Sequence, residues 1–196
     1  MQVIMRAYDV KAFQVVGPAW LKDEKYEILA NMPSGTTNEI FLLMLRSLLA
    51  ERWNLKLHHE PGEFPVYELG VGKNGIKMAP SEEPTRGLAA RRIPGGVELE
   101  SKAADMPALA FVLEMWLDKP SPDPLFSAIS VLDKTGLTGR YAYKVSFATN
   151  LINDKTEFSP PDVRSALADL GLTLQKKKAQ FDVLVIDSIS KRPTEN

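Results

Sequence analysis

Between residues 163 and 170, Val163, Ala166, Leu167 and Leu170 recur at i, i+3, i+4 and i+7, the spacing of one buried helix face. Ser159 ahead of them is a natural N-cap with Pro160 at the first helical position. Earlier in the chain, Thr36 and Glu39 have capping-box spacing before an apolar helix that reaches about Trp53. After each helix comes a stretch of similar pattern, "NLKLHHEPGEFPVYEL" (54–69) and "GLTLQKKKAQFDVLVI" (171–186). Aligned without a gap, Leu55, Leu57, Phe64, Val66 and Leu69 fall on Leu172, Leu174, Phe181, Val183 and Ile186. This coincidence predicts two superimposable hairpins, with "HHEPGE" and "KKK" at their turns.

Looser copies of the same unit occur twice more. Residues 2–30 read as a short helix, a strand around Phe13–Val16, a loop, and a strand around Tyr26–Ala30. Residues 105–149 read as a helix whose Leu109, Val112, Leu113, Trp116 and Leu117 share a face, then strands around Ile129–Leu132 and Arg140–Phe147. The expected fold is α+β: four helix-strand-strand (αββ) units, a mainly antiparallel sheet, and helices packed on one face. One domain over 1–196 would then have two similar halves, 1–71 and 105–196. The Gly-, Pro- and charge-rich segment 72–104 reads as the loop joining them, with "VELES" (97–101) as a short edge strand.

Charge removes some function classes. Against 25 acidic residues stand 24 basic ones, a net charge of −1, so no global field draws the chain to nucleic acid or an anionic membrane. The 196 residues contain no cysteine, which excludes disulfides, thiolate nucleophiles and Cys-ligated zinc without fixing the compartment. The longest apolar run, "IFLLML" (40–45), is far short of the roughly 20 residues of a membrane span. "MQVIMRAYDV" lacks the layout of a signal peptide and starts inside an expected helix, so an export segment upstream of this chain is an expectation.

"LDKTGLTGRY" (132–141) contains Asp-Lys-Thr-Gly, the phosphorylated signature of P-type ion pumps. Such a pump needs membrane helices, a nucleotide domain, a Mg²⁺ site and phosphate-positioning groups, and the stretch has Leu137 where the signature has a second threonine. The expectation is a turn: Gly136 and Gly139 at positive φ, and Asp133 or Thr135 capping backbone donors on the way into a strand at Tyr141. Asp133 and the neighbouring Arg140 are kept as weak binding candidates.

Both histidines lie in "HHEPGE" (58–63). Histidine with glutamate is a common metal pairing, but adjacent strand residues point to opposite faces, so His58 and His59 cannot easily share an ion. His58 and Glu60 could share a face and are the other weak binding candidates; further ligands would have to be carboxylates from elsewhere. No metal, cofactor or catalytic residue is expected. "VLVID" (183–187) resembles a strand ending in a magnesium-binding Asp, yet no phosphate loop accompanies it, and Asp187 reads as a strand-end residue meeting solvent. "KKK" (176–178) reads as a charged tip that discourages edge pairing. No Gly-x-Ser-x-Gly elbow is present; a Ser/His/Asp triad, whose members lie far apart in a chain, stays open.

Four blocks in order, "GPAWLKDEKYEILANMP", "LLAERWNLKLHHEPGEFPVYEL", "LDKTGLTGRY" and "LGLTLQKKKAQFDVLVIDSISKRPTEN", resemble a family of soil-bacterial proteins of unknown function. The resemblance covers nearly the whole chain. It implies an exported, extracytoplasmic domain of a kind also found beside membrane-anchored metallopeptidases of the BlaR type, and it brings no known catalytic residues. "RYAYKV" departs from the acidic residue expected after the tyrosine. The function expected is non-catalytic binding or sensing of a ligand or protein, with a membrane-associated protein as a possible partner. A structural interaction module and a carboxylate- or metal-dependent hydrolase are the alternatives.

Overall fold

A computed structural model describes residues 1–83, 87–117, 130–148 and 161–194. In chain order these hold α1 (Gln2–Tyr8), β1 (Val15–Val16), α2 (Asn38–Trp53), β2 (Lys56–Val71), β3 (Ala79–Pro80) and β4 (Leu88–Ile93). There follow β5 (Gly96–Ala104), α3 (Met106–Leu117), β6 (Ser130–Asp133), β7 (Tyr141–Ala148), α4 (Val163–Asp169) and β8 (Leu172–Ser188). The fold is α+β, as the patterning predicts, with two four-stranded sheets ordered β1-β8-β2-β6 and β3-β7-β5-β4; the second is antiparallel throughout, and in the first β1 pairs with β8 and β2 with β6 in parallel. None of the described helices is long and apolar enough to cross a membrane.

Two compact units divide the chain, Phe64–Ala179 in one and Met1–Glu63 with Gln180–Asn196 in the other. In the first, strict alternation places Tyr141, Tyr143, Val145 and Phe147 of β7 on the buried side. Antiparallel pairing sets Phe147 opposite Val97 and Val145 opposite Leu99, so the two strands bury the same face. Met106, Leu109 and Leu113 of α3 and Leu167 of α4 complete this core. Past Ser101 the β5–β7 register shifts, and the Ser101 hydroxyl mends the break by donating to the Tyr141 carbonyl (3.0 Å) and accepting from the Ala104 N–H (2.8 Å).

In the second unit α1 packs on α2, and Ile4, Met5, Leu49, Trp53, Leu184 and Ile186 are buried. Arg46 fastens the two helices: its Nε donates to the Ala7 carbonyl (2.8 Å) and its guanidinium lies 4.9 Å from the Tyr8 ring centre.

Several expectations are corrected. Residues 54–69 and 171–186 do follow helices, but each forms one long strand rather than a hairpin, and the two strands are neighbours in the sheet. The Gly72 N–H donates to the Gly171 carbonyl (2.8 Å) and the Ser190 N–H to the Trp53 carbonyl (2.7 Å), so the end of each strand meets the beginning of the other. Pro61 is tolerated inside β2 because β6 pairs only with Val66–Leu69, leaving the proline at an open edge among the described residues. Lys176–Lys178 are exposed along β8 and do not form a tip.

Residues 26–30 form no strand; Tyr26 instead stacks edge-on against Trp53, with ring centres 5.6 Å apart, and donates its hydroxyl to the Lys191 carbonyl. Within 72–104, read from sequence as a connecting loop, lie β3, β4 and β5, and the "VELES" residues belong to β5, an inner strand. Thr37 rather than Thr36 caps α2, accepting from the Ile40 N–H (3.3 Å), while Thr36 donates to the Pro33 carbonyl. Asp162 caps α4 by accepting from the Arg164 and Ser165 N–H groups (2.9 and 3.2 Å); Ser159 and Pro160 lie outside the described residues.

Candidate functional site

Asp133 ends β6, and the chain must turn there to enter β7 at Tyr141. One carboxylate oxygen accepts both the N–H and the hydroxyl of Thr135, and the Thr135 hydroxyl in turn accepts from the Leu137 N–H (3.2 Å). Gly136 follows at φ 69, a conformation that costs glycine nothing. These are the local caps and the positive-φ glycine expected of a turn. Gly139, expected at positive φ as well, is not there; a Cβ at that position would lie 3.2 Å from the Tyr141 hydroxyl, so its smallness serves packing. Arg140 donates to the Glu83 carbonyl (3.3 Å), and no hydrogen bond joins it to Asp133. Asp133 is committed to its own turn, and among the described residues no cationic side chain hydrogen-bonds or ion-pairs with it.

His58 and Glu60 belong to the other unit, on β2, and the structure does bring them together. Nε2 of His58 lies 3.0 Å from Glu60 Oε1, as expected of residues i and i+2 on a strand, and Nδ1 lies 2.8 Å from Asp187 Oδ1 on β8. His59 engages a different carboxylate, Asp182, at 2.5 Å. Asp187, read from sequence as a solvated strand end, is exposed and also the partner of His58. That contact depends on the β2–β8 pairing, which the hairpin reading concealed. The two carboxylates hold the His58 pKa above its ordinary value, the Glu60 hydrogen bond first and the Asp187 hydrogen bond second.

This cluster is a poor cage for an ion. The carboxylates approach His58 through different ring nitrogens, which point away from each other, so a single cation cannot take both together with the imidazole. Among the described residues no group of three or more His, Asp or Glu side chains is arranged to hold a metal. Among the described residues neither imidazole hydrogen-bonds a hydroxyl; the partners of both rings are carboxylates.

Two features were missed in the sequence. Glu114 is buried in α3, where its Oε1 accepts from the Val131 N–H (2.7 Å) and the Ser130 hydroxyl (3.2 Å), pinning β6 to the helix. A lone acid inside the apolar run "PALAFVLEMWL" was the available signal. The other feature is α2, apolar on nearly every side, which buries only Leu49 and Trp53 and leaves Ile40, Leu43 and Met44 50, 57 and 37% exposed. Positions i, i+3 and i+4 put these three on one stripe.

No curated protein and no solved structure matches the chain. A family described as "Protein of unknown function (DUF3738)" matches residues 1–189, all but the last few, and the chain belongs to that family.

Proposed function

We propose that this is a non-catalytic protein-binding domain that works outside the cytoplasm and docks its partner on the Ile40–Leu43–Met44 stripe of α2. The observation that carries the reading is the exposure of those three side chains on a helix whose other faces are also apolar. A helix of that composition is ordinarily buried all round, and a contiguous exposed apolar patch marks an interaction surface. The balanced charge of −1 supports a partner recognised by apolar contact rather than by a field. The extracytoplasmic setting, and a partner held at the membrane, rest on the resemblance of the four sequence blocks.

Photo-crosslinking tests this reading. p-Benzoylphenylalanine is placed at Leu43, and at exposed Lys177 on β8 as a control, in cells that naturally make the protein. An adduct of one defined mass from position 43 alone, identified as a membrane-associated protein, is expected. No adduct from position 43, or the same products from both positions, overturns the docking face. A partner found only among cytosolic proteins overturns the setting.

A further inference from the structure

An ionised carboxylate only accepts hydrogen bonds, and a neutral imidazole carries a single N–H. His58 has a carboxylate at each ring nitrogen, Asp187 at 2.8 Å and Glu60 at 3.0 Å. The neutral ring satisfies one of these and turns a bare lone pair toward the other. The imidazolium satisfies both, with charge-assisted bonds. Because Glu60 is on β2 and Asp187 on β8, in the stretches of those strands that fall in the same unit, the ring's protonation state is tied to the contact between these two stretches.

Among the described residues, Glu60 and Asp187 are the charged groups that hydrogen-bond the His58 ring. β1, on the far side of β8, brings only Val15 and Val16. On the same two strands, His59 and Asp182 are engaged with each other, and Lys56, two residues before His58, is the nearest cation along β2.

We propose that His58 is a pH-sensitive clasp between β2 and β8: as imidazolium it ties Glu60 to Asp187, and on losing its proton it releases one of them and loosens this stretch of the strand pair. The raised His58 pKa is in keeping with the geometry. A raised folded-state value means that the stabilisation is fully present below the ordinary histidine value of 6.5 and is lost as pH rises through the higher folded value. His58, Glu60 and Asp187 side chains are 46, 61 and 49% exposed, so salt screens the clasp and its effect is local rather than global.

The test uses the whole chain in solution. The ring protons of His58 are titrated by NMR in the wild type, Asp187→Asn and Glu60→Gln, and amide exchange over Lys56–Glu60 and Asp182–Ser188 is followed on both sides of the wild-type midpoint, corrected for intrinsic pH dependence. The expected midpoint lies above the ordinary histidine value and falls in both variants. Exchange in the two segments should quicken above the midpoint in the wild type, with β5 amides unchanged, and this pH response should be lost in Asp187→Asn. Glu60→Gln carries the same comparison if Asp187→Asn fails to fold. A midpoint at or below the ordinary value, a midpoint unmoved by either substitution, or equal protection on both sides of it overturns the proposal.

Discussion

Thr135 donates its backbone N–H and its hydroxyl to the same oxygen of Asp133, at 2.9 and 2.7 Å. The Asp-Lys-Thr-Gly sequence is therefore a turn whose acid caps the residue two positions on, and the side chain acts on structure. Asp133→Ala should lower stability by about 0.5–2 kcal/mol, the usual cost of losing a capping acid. Gly136→Val should cost more, because a β-branched residue tolerates φ 69 poorly. Chemical denaturation measures both; an Asp133→Ala protein as stable as the wild type would contradict the turn assignment.

Gly171 shows what a glycine can be required for. It sits at φ 78 directly after α4, and a Cβ there would lie 2.1 Å from the Gly75 carbonyl oxygen. Gly35 has a similar φ of 83 with nothing within 4 Å of its Cβ position. Gly35→Ala should thus cost about 1 kcal/mol from backbone strain alone. Gly171→Ala should cost about 2–4 kcal/mol, because the backbone must also move. Equal losses in parallel denaturation curves would show that the Gly171–Gly75 approach is not tight.

Tyr143 is 7% exposed, and its hydroxyl has no hydrogen-bond partner among the described residues. Burial, reinforced by the charge of Asp105, pushes its pKa well above the ordinary tyrosine value, so the ring stays neutral across the working pH range. Removing an unsatisfied hydroxyl without changing the shape of the ring should be neutral or stabilising by about 1 kcal/mol. A Tyr143→Phe protein that unfolds at clearly lower denaturant than the wild type would show that the hydroxyl is bonded after all.

The chain's local order was legible because it is written in short-range spacing. The alternation of Tyr141, Tyr143, Val145 and Phe147 needs only the pleat of a strand, and Ala166, Leu167 and Leu170 need only the helical period. The fate of 54–69 and 171–186 was not legible, because a fold-back and a mutual pairing bury the same alternate positions and only long-range contact separates them. The same ambiguity hid the candidate site. His58 and Glu60 are two residues apart and could be placed on one face from sequence, whereas Asp187 arrives only through the β2–β8 pair. For α2 the sequence shows an apolar helix, and the stripe left in solvent becomes visible only when its neighbours are in place.

The proposed division of α2 into one side that holds the fold and another that docks a partner is tested most directly by pairing Leu43→Glu with Leu49→Ala, since Leu43 is 57% exposed and Leu49 4%. Both proteins are unfolded chemically, and both are carried through the photo-crosslinking assay with the probe at Met44. Leu49→Ala should cost about 2–5 kcal/mol, as for a leucine removed from a packed core. Leu43→Glu should unfold within about 0.5 kcal/mol of the wild type, as an exposed substitution does, and yet lose the crosslinked partner. A Leu43→Glu protein destabilised as much as Leu49→Ala, or one that keeps the adduct, would contradict the account.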